Sequence, residues 1–341
     1  MLVSFKTSKF YFEDKLFSVD GDLEFYYELK KFLLKNNIRS HTHDLIIENP
    51  VAEICLDNIK PTKNKNLKIL ILLESKAVFP GLYDPKYLKS FDLVFTYDNL
   101  LIDNKKILKL NYSYYLKAES NSVKFKDKKF LCNISSNKYS NYKTELYSER
   151  IKVIEFYNKK HSENFDLYGF GWDSYIKNKF LYKLVKQISS KKILRAVFKL
   201  FSYFFGFIIF KELKIYKGII KNKYEVLKTY KFSICFENYY NHDGYVTEKI
   251  FDCFKCNVVP IYYGFSEIHK LIPENTFIDY RKFNSLQDLN DYLTKMKPNE
   301  YSDYLKNINR YLSSSLCREF DVKVNAKRVS KIIYESLNKK I

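Results

Sequence analysis

Cysteine is scarce in this chain, and the six cysteines that occur are scattered from Cys55 to Cys317. Such spacing does not fit the disulfide framework of a small secreted protein, so a reducing compartment fits best. Cys253 and Cys256 form a CxxC, but no second pair follows and the flanking residues have the pattern of a helix leading into a strand. We therefore expect two small buried residues there rather than a metal or redox site.

The chain also lacks a long apolar segment. Its N-terminus has no continuous apolar stretch of the kind found in secretory signals, so no signal peptide is expected. The most apolar run, 197–210, contains a lysine and is shorter than the ~20 residues that span a bilayer. The basic and aliphatic residues before it leave two interpretations open: an interfacial helix that contacts a membrane, or a helical excursion buried in its domain.

Nucleic-acid-binding motifs are missing as well. The sequence has no zinc finger, RNP-like aromatic motif or basic-leucine heptad, although it carries 59 basic and 39 acidic residues and a net charge of +20 with His neutral. A positive field attracts phosphate groups of any kind, and the lysines are spread along the chain instead of forming one basic arm. A generally basic surface, or one that contacts anionic lipid or acidic glycolipid, therefore fits better than a nucleic-acid partner.

Alternating helix and strand patterns fill the chain. Helical periodicity covers 23–36. The aliphatic run at 67–73 is typical of a strand buried on both faces of a parallel sheet, and FDLVFTYD at 91–98 predicts another buried strand. A polar stretch at 118–129 separates this alternation from a second one, and 341 residues suit two α/β domains. Later patterns predict strands at KFLCNISSN and FDLYGFG and helices at 143–160, 286–297, 304–311 and near the C-terminus.

Polar residues that directly follow buried strands are candidates for chemistry, because ligands of parallel α/β sheets bind at the carboxyl ends of the strands. Glu74 follows the strand at 67–73, and a partly desolvated carboxylate there is a candidate general base; a solvated or capping glutamate is the alternative. Arg150 lies in a predicted helix, where its guanidinium is either a fork for two phosphate oxygens or simply solvated.

The segment 232–283 has the strongest potential for anion binding. An apolar strand ends at Phe236-Glu237-Asn238, Asp243-Gly244 forms a turn, and Thr247-Glu248-Lys249 opens a helix. A diphosphate at that helix start would meet free backbone N–H groups and the charge of Lys249, although an ordinary strand-turn-helix is the alternative. The glycine spacing fits neither a dinucleotide fingerprint nor a P-loop.

Three further features of the sequence need an explanation. Gly264 ends the strand pattern at 258–264, either because backbone approaches something closely there or because the chain simply turns. His242 and His269 are single and lack metal-ligand spacing, so we expect surface or turn positions. The DxD at 20–22 precedes a helix instead of following a strand, and metal binding is not expected there.

Three blocks of the 232–283 segment, CFEN, GYVTEKI and VPIYYG, resemble the donor-binding segment of the α-1,3-fucosyltransferases, glycosyltransferase family 10. The likeness extends more loosely to LLES, FDLVFTYD, SERIKVIEFY and DLYGFG. Where the family's acceptor segment reads ESP, this chain has Lys76 after Ser75, with proline only at Pro80. Residues from 176 to about 210 have no counterpart in the family and look like an insertion.

The resemblance implies a GT-B fold of two facing Rossmann-like domains. The first, 1–122, would bind the acceptor; the second, 123–320, would bind GDP-fucose and carry a basic insertion at about 176–215; and a C-terminal helix would occupy 321–341. The implied reaction is an inverting, metal-independent transfer of fucose that requires no cofactor. The implied acceptor is a hydroxyl, O3 of a GlcNAc-type residue in a surface glycan or lipopolysaccharide.

The resemblance also implies roles for particular residues. Glu74 would deprotonate the acceptor hydroxyl, and Arg150 and Lys249 would neutralise the departing diphosphate. Glu248 would face the fucose or ribose and stabilise positive charge at the anomeric carbon. The remaining contacts to nucleotide and sugar would come from Asn238 and Tyr245.

Two alternatives stay open at this point. A family relative could use another GDP-deoxyhexose, or the protein could be a non-catalytic, basic protein that binds sugar nucleotides or a membrane surface. The expected location is the cytoplasm, or the inner face of a membrane if the 176–215 segment contacts anionic lipid.

Overall fold

The computed structural model describes residues 1–18, 23–117, 123–173 and 213–340. The first half of the chain forms a parallel sheet of six strands in the order β2-β1-β3-β4-β5-β6. These strands are β1 (Leu2–Lys6), β2 (Arg39–Thr42), β3 (Ala52–Leu56), β4 (Leu67–Leu72), β5 (Leu93–Thr96) and β6 (Ile107–Lys109). The helices of this half are α1 (Glu24–Lys35) and the short α2 (Pro85–Leu88).

The second half forms a parallel sheet of five strands in the order β11-β10-β9-β7-β8. Its strands are β7 (Lys129–Ile134), β8 (Phe165–Tyr168), β9 (Tyr230–Asn241), β10 (Val259–Phe265) and β11 (Ile278–Asp279). Its described helices are α3 (Tyr147–Lys160), α4 (Lys223–Leu227), α5 (Glu248–Lys255), α6 (Leu286–Lys295) and α7 (Pro298–Leu312). The two sheets define two α/β domains.

The last helix, α8 (Val322–Lys340), returns to the first domain. Its apolar residues Val329 and Ile333 are fully buried in one core with Leu29 and Leu33 of α1. The predicted amphipathic C-terminal pattern is thus a helix whose apolar stripe packs on the domain that begins the chain.

Short 3-10 helices lie in the connections. They occupy Lys9–Tyr11, Lys15–Phe17, His43–Leu45, Pro80–Tyr83, Phe125–Asp127, Ser162–Asn164, Ile268–Lys270, Glu274–Thr276, Tyr280–Lys282 and Leu316–Phe320. The strand predicted at 67–73 is β4, all of whose residues except Lys68 are buried, as a strand covered on both faces requires.

Several sequence features fall outside the described residues. They are the DxD at 20–22, the apolar run at 197–210 and most of the insertion at about 176–215. Within the ranges that the structure describes, no helix combines the length and apolar character needed to cross a bilayer.

Candidate active site

A cavity of about 320 Å³ lies where the two domains meet. Both sheets present the carboxyl ends of strands here, because Glu74 follows β4 of the first domain and Asn238 lies near the end of β9 of the second. The structure brings all six predicted site residues to this one cavity: Glu74, Arg150, Asn238, Tyr245, Glu248 and Lys249. Their roles in binding and catalysis remain predictions.

Glu74 is the acidic residue that the first domain contributes to the cavity wall. Its Oε1 accepts a 2.7 Å hydrogen bond from the backbone N–H of Ser75. Its own N–H and that of Leu73 donate to Oδ1 of Asp57 at 2.9 and 2.8 Å. Burial raises the pKa of Asp57 to about 6, against the opposing effect of these two hydrogen bonds. Asp57 thus fixes the backbone that carries Glu74.

Arg150 is buried, although most helical arginines are solvated. Its Nη2 donates to the carbonyl oxygens of Phe236 and Glu237, both at 2.7 Å, and to Oδ1 of Asn238 at 3.3 Å. Burial lowers the pKa of the guanidinium group. Arg150 therefore fixes the end of β9 and also brings positive charge to the cavity wall.

Lys249 lies in the first turn of α5 and forms an ion pair with the buried carboxylate of Glu237. Its Nζ lies 3.1 Å from Oε2 of Glu237 and 2.7 Å from Oγ1 of Thr247. Burial would lower the pKa of Lys249, but the charges of Glu237 and Glu248 outweigh it and raise the pKa. Lys249 is therefore a protonated ammonium group at neutral pH.

An internal carboxylate binds the residue that precedes α5. The backbone N–H of Thr247, the N-cap residue, donates to Oε1 of Glu237 at 2.8 Å. The Thr247 hydroxyl donates to the other carboxylate oxygen at 2.7 Å. Glu237 thus accepts both hydrogen bonds that the N-cap residue donates, and the side chain of Lys249 adds a positive charge beside the start of α5.

Glu248 lines the cavity beside Lys249, with Oε1 3.5 Å from Nζ of Lys249. Burial would raise the pKa of Glu248, but Lys249 and Lys223 outweigh it and lower the pKa to about 2. Glu248 is therefore ionised at neutral pH, as a residue that stabilises developing positive charge must be.

Asn238 and Tyr245 connect the cavity wall to the other domain. Nδ2 of Asn238 donates to the Tyr245 hydroxyl at 3.1 Å and to Oγ of Ser75 at 3.3 Å. The Tyr245 ring is buried and contacts two tyrosines of the first domain, Tyr97 at 4.9 Å and Tyr112 at 5.9 Å between ring centroids. These contacts join the two domains at the wall of the cavity.

At Gly264 the backbone is approached closely by other side chains, so this glycine is not a simple turn residue. It lies inside β10, where a Cβ atom would be 2.5 Å from Cγ of Glu237 and 2.7 Å from the Tyr262 hydroxyl. The absence of a side chain at Gly264 leaves the space that Glu237 occupies behind Lys249.

Two lysines that line the cavity and one carboxylate behind its wall were not predicted from the sequence. Lys138 and Lys223 line the cavity, and Glu237 is the fully buried partner of Lys249. Glu237 belongs to the CFEN block. Lys138 lies in the loop after β7, so a search for polar residues that follow strands could have found it. Lys223 is the first residue of α4, several residues after the predicted insertion, and no local pattern marks it.

Other expected side chains lie where the sequence placed them. Cys253 and Cys256 are buried free thiols, and His242 and His269 are exposed. Within the described ranges, no group of three His, Cys, Asp or Glu side chains is placed to hold a metal ion.

Comparison with known families finds a match in the second half of the chain. Residues 205–330 match the family model described as glycosyltransferase family 10 (fucosyltransferase), C-terminal. An α-(1,3)-fucosyltransferase of Helicobacter pylori is 38% identical over 88 residues, which are 25% of this chain and 18% of the relative. A mouse 4-galactosyl-N-acetylglucosaminide 3-α-L-fucosyltransferase is 31% identical over 112 residues, 30% of this chain and 31% of the relative. The matches thus span less than a third of these relatives' length.

Comparison with solved structures confirms the GT-B fold. A crystal structure of an α1,3-fucosyltransferase has a TM-score of 0.55 at 15% identity, covering 99% of this chain and 90% of that chain. A structure with GDP-fucose has a TM-score of 0.51 at 15% identity and covers 89% and 81%. An α-glucosyltransferase with UDP-glucose and DNA has a TM-score of 0.57 at 8% identity and covers 97% and 98%. At these identities the likeness is one of fold.

Proposed function

Because residues 205–330 carry a glycosyltransferase family 10 domain, we propose that this protein is a fucosyltransferase that uses GDP-fucose. The proposed reaction forms a bond between an acceptor hydroxyl oxygen and the anomeric carbon of fucose. The bond from that carbon to the diphosphate breaks, GDP departs, and the configuration inverts.

The observation that carries this proposal is the arrangement of charge across the cavity. Glu74 enters from the first domain, whereas Arg150, Glu248 and Lys249 enter from the second. An inverting transfer requires a base on the acceptor side and positive charge on the diphosphate side, with the sugar between them. Two facing domains supply these groups from opposite directions.

On the donor side, four basic side chains line the cavity: Lys138, Arg150, Lys223 and Lys249. Positive groups fixed before the reaction stabilise the charge that develops on a leaving diphosphate without having to reorganise. Lys249 is the best placed of the four, because Glu237 and Thr247 fix its ammonium group. We assign it to the diphosphate, with Arg150 as its partner.

On the acceptor side, Glu74 takes the proton of the attacking hydroxyl. The proton moves to the Glu74 carboxylate as the hydroxyl oxygen attacks, so the nucleophile gains negative charge only in the transition state. The ionised carboxylate of Glu248 counters the positive charge that grows on the anomeric carbon. Charge stabilisation and one base account for the reaction, so we propose that it needs neither a metal ion nor a cofactor.

For the acceptor we propose O3 of a GlcNAc-type residue in a surface glycan or lipopolysaccharide. The mouse relative is named as a 4-galactosyl-N-acetylglucosaminide 3-α-L-fucosyltransferase, and this supports the proposed position. Family likeness supports GDP-fucose as donor over other GDP-deoxyhexoses.

The test begins with thermal shifts of the purified protein in a panel of GDP-, UDP- and CMP-sugars, without acceptor or metal. Stabilisation by GDP-fucose and GDP is expected, because ligands that bind only the folded state raise the melting temperature. Release of GDP and formation of fucosylated product are then followed with GlcNAc-type acceptors, with and without EDTA. Stabilisation by another GDP-sugar alone would change the donor, and no stabilisation by any nucleotide sugar would contradict the proposal.

A further inference from the structure

Lys76 joins the two domains through a buried ion pair on each side. Its Nζ lies 2.7 Å from Oδ2 of Asp98, in the first domain, and 2.8 Å from Oδ2 of Asp243, in the turn after β9 of the second. The side chains of Asp98 and Asp243 are 0% and 4% exposed, and that of Lys76 is 18% exposed. One ammonium group thus bridges two buried carboxylates that belong to different domains.

The ammonium group of Lys76 offsets the repulsion between the buried carboxylates of Asp98 and Asp243. Without Lys76, two buried carboxylates would face each other across the domain boundary, and both burial and their mutual repulsion disfavour the charged forms. The pKa values reflect this balance: burial raises the pKa of Asp98 against the opposing charge of Lys76. The pKa of Lys76 is raised by the two carboxylates, although burial opposes this.

The same turn is connected to the backbone of Glu74. The Tyr239 hydroxyl donates to Oδ2 of Asp243 at 2.7 Å and lies 3.2 Å from the hydroxyl of Tyr97. The Tyr97 hydroxyl lies 2.5 Å from that of Tyr83, which donates to the carbonyl oxygen of Glu74 at 2.6 Å. A continuous polar chain therefore runs from the Lys76 bridge to the backbone of the proposed base.

The bridge is also next to the donor-binding turn. Asn99 of the first domain donates its N–H to the carbonyl oxygen of Asp243 at 2.8 Å. A Cβ atom on Gly244 would lie 2.6 Å from Nδ2 of Asn99, so the bare backbone of Gly244 leaves room for the Asn99 side chain. Tyr245 and Lys249, which line the cavity, follow within a few residues.

We propose that Lys76 is a positioning residue that fixes the spacing between Glu74 and the donor-binding turn at 243–249 by holding the two domains together. This inference rests on the proposed function. The ammonium group of Lys76 binds Asp98 and Asp243 and in this way aligns Glu74 with the donor-binding turn.

The test compares Lys76→Met with Lys89→Met, which removes an exposed lysine of the same domain. We expect kcat to fall by about 100-fold in Lys76→Met, the effect of a misplacement of roughly 1 Å between reacting groups. The Kd for GDP, measured calorimetrically, should stay near the wild-type value because the donor site lies within the second domain. A kcat equal to that of Lys89→Met would overturn the proposal, as would a loss of GDP affinity as large as the loss of kcat.

A double variant, Lys76→Met with Asp98→Asn, separates positioning from loss of folding. It removes one of the two facing carboxylates together with the ammonium group, so part of the lost kcat should return. If Lys76→Met is not recovered as folded protein, the double variant provides the same comparison with the wild type. A double variant no more active than the single variant would contradict the bridge as the cause.

Amide hydrogen exchange tests the inference without turnover. The N–H of Asn99 donates to the carbonyl oxygen of Asp243 across the domain boundary, so its exchange should be faster in Lys76→Met than in the wild type and unchanged in Lys89→Met. If the wild type transfers no fucose, the proposed function fails, and hydrogen exchange alone decides whether Lys76 holds the domains together. An unchanged exchange rate at Asn99 in Lys76→Met would then overturn the inference.

Discussion

Glu237 and Lys249 form an ion pair of 3.1 Å directly behind the wall of the interdomain cavity. Glu237 is fully buried and also accepts both hydrogen bonds that Thr247 donates, so its position is fixed by β9 and by the start of α5. The pair holds the Lys249 ammonium group ready for an anion before any ligand arrives. Such preorganisation is what makes a positive group effective in a transition state.

Replacement of Lys249 by alanine is expected to reduce fucosyl transfer by ~10² or more, the scale for loss of one preorganised stabilising group. Initial rates at saturating acceptor provide the measurement. Lys270→Ala is the matched control, because Lys270 is an exposed lysine of the same domain and its ion pair with Glu267 is also exposed to solvent. Turnover in Lys249→Ala close to that of the control would refute the assignment of Lys249 to the diphosphate.

Replacement of Gly264 by alanine should change the position of Lys249 indirectly, by displacing its partner Glu237. The new Cβ atom would meet Cγ of Glu237 at 2.5 Å, so Glu237 must move away from Lys249. We expect a loss of about 1–3 kcal/mol in the free energy of unfolding, the range for overpacking a well-packed site, together with a lower kcat.

Gly81→Ala is the control for Gly264→Ala, because a Cβ atom there would meet no heavy atom within 4 Å. Its free energy of unfolding should stay within about 0.5 kcal/mol of the wild type, as for most surface substitutions. Urea denaturation measures both variants. Equal stability and equal kcat in the two variants would show that Glu237 tolerates displacement.

Replacement of Glu74 by glutamine should separate binding from chemistry. The amide keeps the shape of the side chain but cannot accept the proton of the acceptor hydroxyl, so transfer is expected to fall by about 10²–10⁴, the usual contribution of a general base. The melting temperature and the Kd for GDP should match those of Glu163→Gln, an exposed control. Retained transfer in Glu74→Gln would assign Glu74 to a capping or solvated role.

The sequence predicted the elements that carry a strong local pattern. The aliphatic run at 67–73 predicted β4 almost to the residue, and the periodicity at 23–36 predicted α1. The short strand β2, RSHT, was not predicted because its residues are neither apolar nor alternating. Its position comes from parallel pairing with β1, which is a tertiary interaction.

Site residues could be predicted from the sequence where they directly follow a strand or belong to a sequence block that resembles the family. Glu74 and Lys249 were found in this way, and both line the cavity. The Lys76 bridge was not predictable, because Asp98 and Asp243 are far apart in sequence and become neighbours only when the domains meet. The burial of Arg150 was not predictable either, because the sequence of its helix does not show that β9 passes beside it.

Asp57 should make the stability of this protein fall as the pH rises through mildly acidic values. Burial raises the pKa of Asp57 from 3.8 to about 6, so between these values the folded state binds more protons than the unfolded state, and the free energy of unfolding decreases with increasing pH. Asp57→Asn removes this ionisation but keeps an oxygen for the N–H groups of Leu73 and Glu74. The difference in unfolding free energy between variant and wild type should therefore grow in favour of the variant by roughly 1–3 kcal/mol from pH 4 to pH 7. Urea denaturation at several pH values measures it, and parallel pH profiles for the two proteins would show that Asp57 does not titrate in this range.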